Sequence, residues 1–341
     1  MLGTTQPRGT GRLPLVEQRS LGDTGLRVSR LALGTMTWGR GTDDLDARDI
    51  FTAFIEAGGT LVDCADVYSD GEAEKVLGRI IADLDVRDRV VVATKAVSRP
   101  GTERRFDASR THLLGSLDRS LRRLGTDHID LWQLHAWDPR TPLDETLAAA
   151  DDAVRSGKVR YIGVSNYCGW QTAAAAMWQR AIPGRVALAS TQVEYSLLAR
   201  GIEREVVPSA RNLGLGILAW SPLGRGVLTG KYRAGVPHDS RASNKAFATF
   251  VQPYFSERSR GIVDAVVTAA DGLGVTPVEV ALSWVRDRPG VVAPVVGART
   301  RWQAEVAFAS EEIELPAEIL AALDDVSAVS VGYPEFGWNQ R

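Results

Sequence analysis

Eight short apolar segments rich in β-branched residues recur along the chain, with starts mostly about 30 residues apart, the length of one strand and one helix. Helical patterns lie between them. From Asp107 to Gly125, for example, apolar residues recur at helical spacing and a glycine ends the run. Such a repeat is typical of parallel sheets whose strands are buried on both faces. The segments begin at Leu31, Thr60, Val90, Ile129, Val159, Leu188, Gly214 and Val291.

A single (β/α)8 barrel, an α/β fold, explains eight such units more simply than two domains do. The chain has 341 residues, 44% of them hydrophobic, which is enough to bury a core of that size. The alternative is a doubly wound sheet, which needs a loop of G-x-G-x-x-G spacing after its first strand. The sequence LALGTMTWGRG, which starts at Leu31, lacks that spacing. We therefore predict the barrel.

The segments outside the repeats give the domain organisation. Residues 1–15 lack the apolar stretch of a signal peptide and are expected to be a flexible leader. Residues 16–341 form the barrel domain, which begins with a hairpin around the turn Gly22–Gly25, expected to plug the bottom of the barrel. Before the last strand, residues 222–256 are rich in turn formers and aromatic residues and predict a lid and cofactor loop. Residues 329–341 are a C-terminal tail.

Composition and charge exclude several classes of function. Forty Lys and Arg residues against 42 Asp and Glu residues leave a net charge of −2, which provides no global field for nucleic acid or an anionic membrane. No apolar run is long enough to predict a membrane span. The two cysteines, Cys64 and Cys168, and four scattered histidines predict neither a disulfide framework nor a metal cluster. We expect a cytoplasmic protein.

Titratable side chains stand where three consecutive predicted strands end. The second strand ends in the sequence LVDCADVYSDG, with Asp63 and Tyr68, the third in Lys95 and the fourth in His135. In such barrels the working residues lie at the C-terminal ends of the strands, so we expect these four side chains to meet at one mouth.

Their combination has a chemical logic. A tyrosine hydroxyl, with an ordinary pKa near ~10, needs a nearby cation to act as an acid or base at neutral pH, and Lys95 can supply that charge. A buried lysine in turn needs a carboxylate such as Asp63 to keep its proton. His135 can donate a hydrogen bond to a carbonyl oxygen placed beside Tyr68.

Each of these residues also has a purely structural interpretation. An Asp at a strand end is most often a cap or turn residue, and a Tyr just past a strand usually packs with a wet tip. Lys95 could extend to solvent, and His135 could be a satisfied core histidine. Their occurrence together on three consecutive strand ends favours the catalytic interpretation.

With these residues in place, the sequence resembles the aldo-keto reductases from about Val16 to Ala328. It is most similar to the branch that contains bacterial oxidoreductases and potassium-channel β subunits. The resemblance implies a catalytic tetrad of Asp63, Tyr68, Lys95 and His135, with NADPH as the cofactor (NADP+ when oxidised). The matching motifs, in order, are RSLGDTGLRVSRLALGTM, DCADVY, ATK, DLWQLHAWD, GVSNY, TQVEYSLL, WSPLGRGVLTGKY and PVVGARTRWQ.

The resemblance also implies the cofactor contacts. Ser165, Asn166 and Gln192 would bind the nicotinamide carboxamide, and Trp220 would stack on the ring. Lys231 and the loop SPLGRG would bind the pyrophosphate, while Arg299 and Gln303 match the motif for the adenosine 2′-phosphate best. The whole predicted set is Gly34, Thr35, Met36, Ser165, Asn166, Gln192, Trp220, Ser221, Pro222, Leu223, Gly226, Lys231, Gly297, Arg299, Thr300 and Gln303.

Structural interpretations exist here too: Trp220 could be a core aromatic residue and SPLGRG an ordinary turn. Arg301 also lies near the start of the last predicted barrel helix, where a cation opposes the helix dipole and an anion is the expected partner. The sequence departs from the family pattern at Cys64 and Ser69, where Thr and Gly are common. It departs again at Val306 and Ala307, where the family often has the Glu and Asn assigned to adenine.

We predict from these features an NADPH-dependent reductase of an aldehyde or ketone, a small-molecule carbonyl substrate. Trp38 and Trp137 would contact that substrate, with aromatic residues of the lid between 247 and 255, and the charged Arg40 and Asp138 hint at a polar ketone. A Schiff-base aldolase that uses Lys95 as its nucleophile is an alternative. A nicotinamide-binding regulatory subunit is another. A homo-oligomer is possible, although the sequence shows no decisive apolar stripe.

Overall fold

Eight parallel strands close into a barrel in the computed structural model, which describes residues 13–238, 240–243, 245–330 and 332–333. The order around the barrel is that of the sequence, and the last strand pairs with the first. The predicted (β/α)8 barrel is therefore confirmed, and each strand lies in its predicted segment. The barrel strands are β3 (Ala32–Gly34), β4 (Leu61–Asp63), β5 (Val91–Ala96), β6 (Ile129–Leu134), β7 (Val159–Ser165), β8 (Leu188–Glu194), β9 (Gly216–Trp220) and β10 (Val291–Val296).

Helices follow the strands and cover the outside of the barrel. Their ends carry the expected signals: α3 begins after Ser109, whose side chain accepts a hydrogen bond from the His112 amide, and ends at Gly125, at φ 64°. The helices are α1 (Asp44–Glu56), α2 (Glu72–Leu84), α3 (Arg110–Leu124), α4 (Leu143–Arg155), α5 (Gly169–Ala181), α6 (Val206–Asn212), α7 (Lys245–Val251), α8 (Glu257–Leu273), α9 (Pro277–Arg286), α10 (Arg301–Phe308) and α11 (Ala317–Val326).

A hairpin closes the bottom of the barrel, as predicted. It is formed by β1 (Gln18–Ser20) and β2 (Arg27–Ser29), which pair antiparallel. Leu21 and Val28 of this hairpin are fully buried against the apolar side chains inside the barrel. The turn touches the start of β9, where the Asp23 amide donates to the Gly214 carbonyl at 2.8 Å.

The segment between β9 and β10 is more ordered than the predicted lid. It contains a 3-10 turn over Gly224–Thr229 and three helices, α7 to α9. Of these, α7 falls inside the predicted 222–256 lid.

At the two ends of the chain, most of the predicted leader and most of the predicted tail lie outside the described residues. Leu13 packs against the core, so contacts with the barrel begin before residue 16.

Within the described residues, no single helix combines the length and the apolar character needed to cross a membrane. Helices α8 and α9 meet that test only as a pair, and they bend by 103° where they join.

Gly22 tests how tightly the hairpin turn fits the barrel. Its φ is +58°, and a Cβ added there would stand 2.4 Å from the Gly214 carbonyl oxygen. We expect Gly22→Ala to lower the free energy of unfolding by roughly 2–4 kcal/mol, measured by urea denaturation, because strain adds to a clash with backbone.

Gly101→Ala is the matched control, because Gly101 has a φ of +76° but no atom within 4 Å of the added Cβ. This substitution should lower the free energy of unfolding by roughly 1–2 kcal/mol, through backbone strain alone. Equal losses in the two variants would contradict the close fit of the turn.

Candidate active site

One large cavity, of about 1240 Å³, opens at the C-terminal end of the barrel. It runs from the ends of β3, β4 and β6 to the start of α10. Asp63, Tyr68 and His135 line its inner end, while Lys95 lies just beneath, fully buried. The four side chains predicted as a catalytic tetrad are therefore brought together at one mouth.

The Lys95 ammonium group is held by three oxygen atoms. Its Nζ atom lies 2.6 Å from Asp63 Oδ2, 2.8 Å from the Cys64 carbonyl and 3.4 Å from the Tyr68 hydroxyl. Burial alone would lower the pKa of Lys95, but the charge of Asp63 and the Tyr68 hydroxyl outweigh it, and the pKa is raised. Lys95 is thus a cation at neutral pH.

Two buried amides hold the other oxygen of Asp63. Its Oδ1 atom accepts hydrogen bonds from Gln192 at 2.8 Å and from Gln133 at 3.2 Å. The sequence predicted Gln192 only as a cofactor contact, and here its amide nitrogen also orients the carboxylate. Gln133 was missed, although a lone amide in the strand sequence IDLWQL was a possible signal.

Tyr68 keeps its proton at neutral pH. Burial raises the pKa of its hydroxyl, and the nearby Lys95 cation opposes that effect without cancelling it. From the sequence, Lys95 was expected to favour the phenolate. It does so, but burial dominates in this structure. A neutral hydroxyl beside a fixed cation can give up a proton, because its phenolate product would be stabilised where it forms.

His135 is neutral and has an unsatisfied polar atom. Burial and the Lys95 charge lower its pKa to about 3. Its Nδ1 atom is buried without a hydrogen-bond partner among the described residues, and its ring meets the Tyr68 ring edge-on at 6.1 Å. A neutral imidazole can donate one N–H bond, so this ring suits a carbonyl oxygen placed beside Tyr68.

A cysteine directly follows β4. Cys64 is fully buried and unpaired, and burial, together with the charge of Glu74, raises the pKa of its thiol. It contributes to the site through its backbone carbonyl, which binds Lys95.

The predicted nicotinamide contacts form their own hydrogen-bond chain. Asn166, at φ 57°, donates through Nδ2 to the His135 carbonyl at 2.9 Å and accepts at Oδ1 from the Trp220 indole N–H at 3.0 Å. Ser165 Oγ donates to the Gln192 carbonyl at 2.9 Å. The ends of β6, β7, β8 and β9 are thereby tied to one another around the cavity.

Arg225 anchors the lid to the barrel, and sequence reasoning missed it. Its guanidinium forms two bonds to Glu194 at the end of β8, at 2.8 and 2.5 Å, and lies 3.9 Å from the centre of the Phe250 ring of α7. Phe250 is stacked with Trp220 at 6.4 Å, with 16° between the rings. The hydroxyl of Tyr254 also donates to Glu194 at 2.8 Å.

Most of the residues predicted to contact the phosphates and the adenosine line the outer end of the cavity. Arg299 and Gln303 line it, and so do Val306 and Ala307, which give it an apolar wall. Trp302, which the sequence analysis did not single out, lines it too. The other predicted residues that line the cavity are Gly34, Thr35, Met36, Ser221, Pro222, Leu223, Gly226, Lys231 and Gly297.

Two predictions at this outer end need correction. Thr300 does not line the cavity. It caps α10 instead, where its hydroxyl accepts a hydrogen bond from the backbone N–H of Gln303. Arg301 forms ion pairs with Glu56 and Glu305, and it too lies outside the cavity lining.

The predicted substrate residues also need correction. Trp38 is fully buried in the hydrophobic core, and Trp137 packs against Tyr167 and Trp170; neither lines the cavity. The cavity is lined instead by Ser98, Arg105 and Phe106, from the connection after β5.

The positions of Arg40 and Asp138 do not support the predicted polar ketone substrate either. Asp138 is buried and bonded to Arg104 and Thr141, which makes it part of the scaffold. Arg40 forms an exposed ion pair with Asp70.

The low pKa of His135 predicts a loss of stability in acid. Between pH 6.5 and about 3 the unfolded chain binds a proton that folded His135 does not, so stability falls as pH falls through that window. From pH 7 to pH 5 we expect the protonation of this residue to lower the free energy of unfolding by roughly 1–2 kcal/mol. The lower end of that range applies because the ring partly faces the cavity. Urea denaturation of His135→Gln should show a pH dependence smaller by that amount.

His238→Gln, at an exposed histidine, is the control and should keep the full pH dependence. An unchanged dependence in His135→Gln would mean that His135 is not the group that titrates.

Comparison with known proteins agrees with this geometry. A sequence model of the aldo/keto reductase family matches residues 30–328. The uncharacterized oxidoreductase YrpG of Bacillus subtilis (strain 168) is 39% identical over 323 residues, which cover 91% of this chain and 96% of that protein. The versiconal hemiacetal acetate reductase of Aspergillus parasiticus is 30% identical, with 91% and 96% covered.

A probable voltage-gated potassium channel subunit beta of Arabidopsis thaliana is also similar, at 32% identity with 94% of this chain and 98% of that protein covered. The predicted branch, with bacterial oxidoreductases and potassium-channel β subunits, is confirmed. The family match, the barrel and the grouped strand-end residues agree: the chain belongs to the aldo/keto reductase family and is an oxidoreductase.

Proposed function

We propose that this protein reduces an aldehyde or ketone to an alcohol with NADPH as the cofactor, and that Tyr68 donates the proton. The observation that carries the proposal is the contact network of Tyr68, Lys95 and Asp63 at the inner end of the cavity, with His135 against Tyr68. The cavity is large enough for a dinucleotide, and His135 lines its inner end against Tyr68.

The residues that would hold NADPH suit its chemistry. Asn166 and Gln192 supply amide groups for the carboxamide, and Trp220 supplies an aromatic face. Lys231 and Arg299 bring positive charge to the part of the cavity where phosphates would lie. When bound, the nicotinamide supplies a hydride to the carbonyl carbon.

The protein's own residues then complete the reaction. His135 donates a hydrogen bond to the carbonyl oxygen and fixes it beside Tyr68. The Tyr68 hydroxyl gives its proton to that oxygen as the carbon takes the hydride, which yields the alcohol and leaves a phenolate. Lys95 stabilises the phenolate, and Asp63 keeps Lys95 protonated.

The state of Lys95 argues against the Schiff-base aldolase. A lysine nucleophile must lose its proton, whereas this ammonium group is paired with Asp63 and its pKa is raised. A regulatory subunit remains the second candidate, because one relative is named as a probable potassium channel subunit. Both free cysteines suit a reducing compartment, and we place the protein in the cytoplasm.

Tyr68→Phe tests the proton donor. We expect the initial rate of NADPH oxidation with a panel of reactive aldehydes and ketones to fall by at least about 100-fold, because the substitution removes the hydroxyl proposed to donate the proton. NADPH binding, followed by fluorescence titration, should be retained.

Tyr161→Phe is the control, because it removes a hydroxyl from a tyrosine packed against the inner core of the barrel. A Tyr68→Phe variant with nearly full activity would refute the assignment. A native protein that binds NADPH and oxidises none with any compound of the panel would favour the regulatory function.

Arg299→Ala tests the preference for NADPH. We expect the Kd of NADPH to rise at least about tenfold and that of NADH to change less than about threefold, because only NADPH carries the 2′-phosphate. Arg301→Ala is the matched control, two residues away and paired with Glu56 and Glu305 outside the cavity lining. Equal effects on both cofactors would contradict 2′-phosphate recognition.

A further inference from the structure

The outward face of α5 is apolar along its whole length. Trp170, Met177 and Trp178 expose 61%, 53% and 41% of their surfaces, and Ile182 follows just after the helix. The residues between them on this face are alanines. Elsewhere in the described residues the exposed large apolar side chains are spread over several other elements. A face of this kind on a helix is typical of a surface that another molecule covers.

The size of the face fits an interface between two proteins. Two tryptophans, a methionine and an isoleucine with these exposures present on the order of 400 Å² of apolar surface. A standard interface buries roughly 800 Å² on each partner, and its rim is polar. The apolar face thus supplies the centre of an interface of ordinary size.

The arrangement of large and small residues on this face is symmetric about Ala174. Trp170 precedes Ala174 by four residues and Trp178 follows it by four. We propose that α5 packs antiparallel against α5 of a second copy of this chain, about a two-fold axis at Ala174. Each Trp170 then contacts Trp178 of the other copy, and the alanine at the centre lets the two helices approach closely.

The charges beside the face complement each other under the same symmetry. Exposed Glu205 lies against Gly169, at the N-terminal end of α5, and exposed Arg180 lies near its C-terminal end. Arg180 donates a hydrogen bond to the Leu213 carbonyl, but neither it nor Glu205 forms an ion pair within the part of the chain that the structure describes. Antiparallel packing brings the Arg180 end of one helix to the Glu205 end of the other, so an Arg180–Glu205 pair occurs twice across the interface.

The face is also connected to the rim of the cavity. The Trp170 ring contacts the Trp137 ring at 5.2 Å, edge to face, and Trp137 follows His135 by two residues. Ser165 ends β7, and Asn166 opens the short connection that leads into α5. A second copy packed on α5 would restrain this connection from outside the barrel.

Sedimentation equilibrium of the full chain tests the proposal. We expect the native protein to form a dimer with a Kd at or below about 10 μM. Ala174→Glu should weaken the dimer at least about 100-fold, because it places two carboxylates face to face at the axis. Leu45→Glu is the matched control, because Leu45 of α1 is 71% exposed and lies outside the face. The dimer Kd of this variant should match that of the native protein.

A charge exchange tests the antiparallel direction. Arg180→Glu and Glu205→Arg should each weaken the dimer about fivefold or more, and the double variant should return to within about twofold of the native Kd. Circular dichroism and thermal unfolding establish that each variant is folded. A native chain that is monomeric at about 100 μM, or a dimer that survives Ala174→Glu, would overturn the interface. A double variant no better than the single ones would overturn the antiparallel arrangement.

Discussion

The buried ion pair between Lys95 and Asp63 is the interaction on which the rest of the site depends. Two charges taken out of water cost several kcal/mol each, and their attraction offsets that cost only if the remaining lone pairs and protons are also satisfied. Here the Cys64 carbonyl, Gln133 and Gln192 satisfy them. These groups come from the ends of β4, β5, β6 and β8, so half of the barrel must be in register before the pair is tolerated.

The sequence was sufficient for the barrel and the grouping of the tetrad because both follow from chain direction. Parallel strands bring their C-terminal ends to one edge. Asp63, Lys95 and His135 end consecutive strands and therefore lie close together, whatever the path of the connections. It was not sufficient for side-chain orientation. Trp38 and Trp137 follow strand ends yet turn into the packing between barrel and helices, and a local pattern does not distinguish these directions. Thr300 was misassigned for a related reason, since a threonine that precedes a helix is as well placed to cap it as to contact a ligand.

The lid shows another limit of a single sequence. Glu194, Arg225 and Phe250 are far apart in the chain, and each has an ordinary local context. Together they place a guanidinium between a carboxylate at the end of β8 and an aromatic ring of α7. A planar cation suits that position, because it bonds the carboxylate in its plane while its face packs on the ring. Helix α7 is therefore attached to the barrel through Phe250, the residue that stacks with Trp220.

The environment of Cys64 has a chemical consequence for a protein that handles reactive carbonyl compounds. Thiolates, and not thiols, attack electrophiles, and the burial that raises the pKa of Cys64 keeps it in the unreactive form. The same residue offers its backbone oxygen to Lys95 while its sulfur stays outside the cavity lining. In the proposed reaction, a carbonyl compound held beside Tyr68 would therefore meet no cysteine thiolate from Cys64, although that residue directly follows Asp63 in the chain.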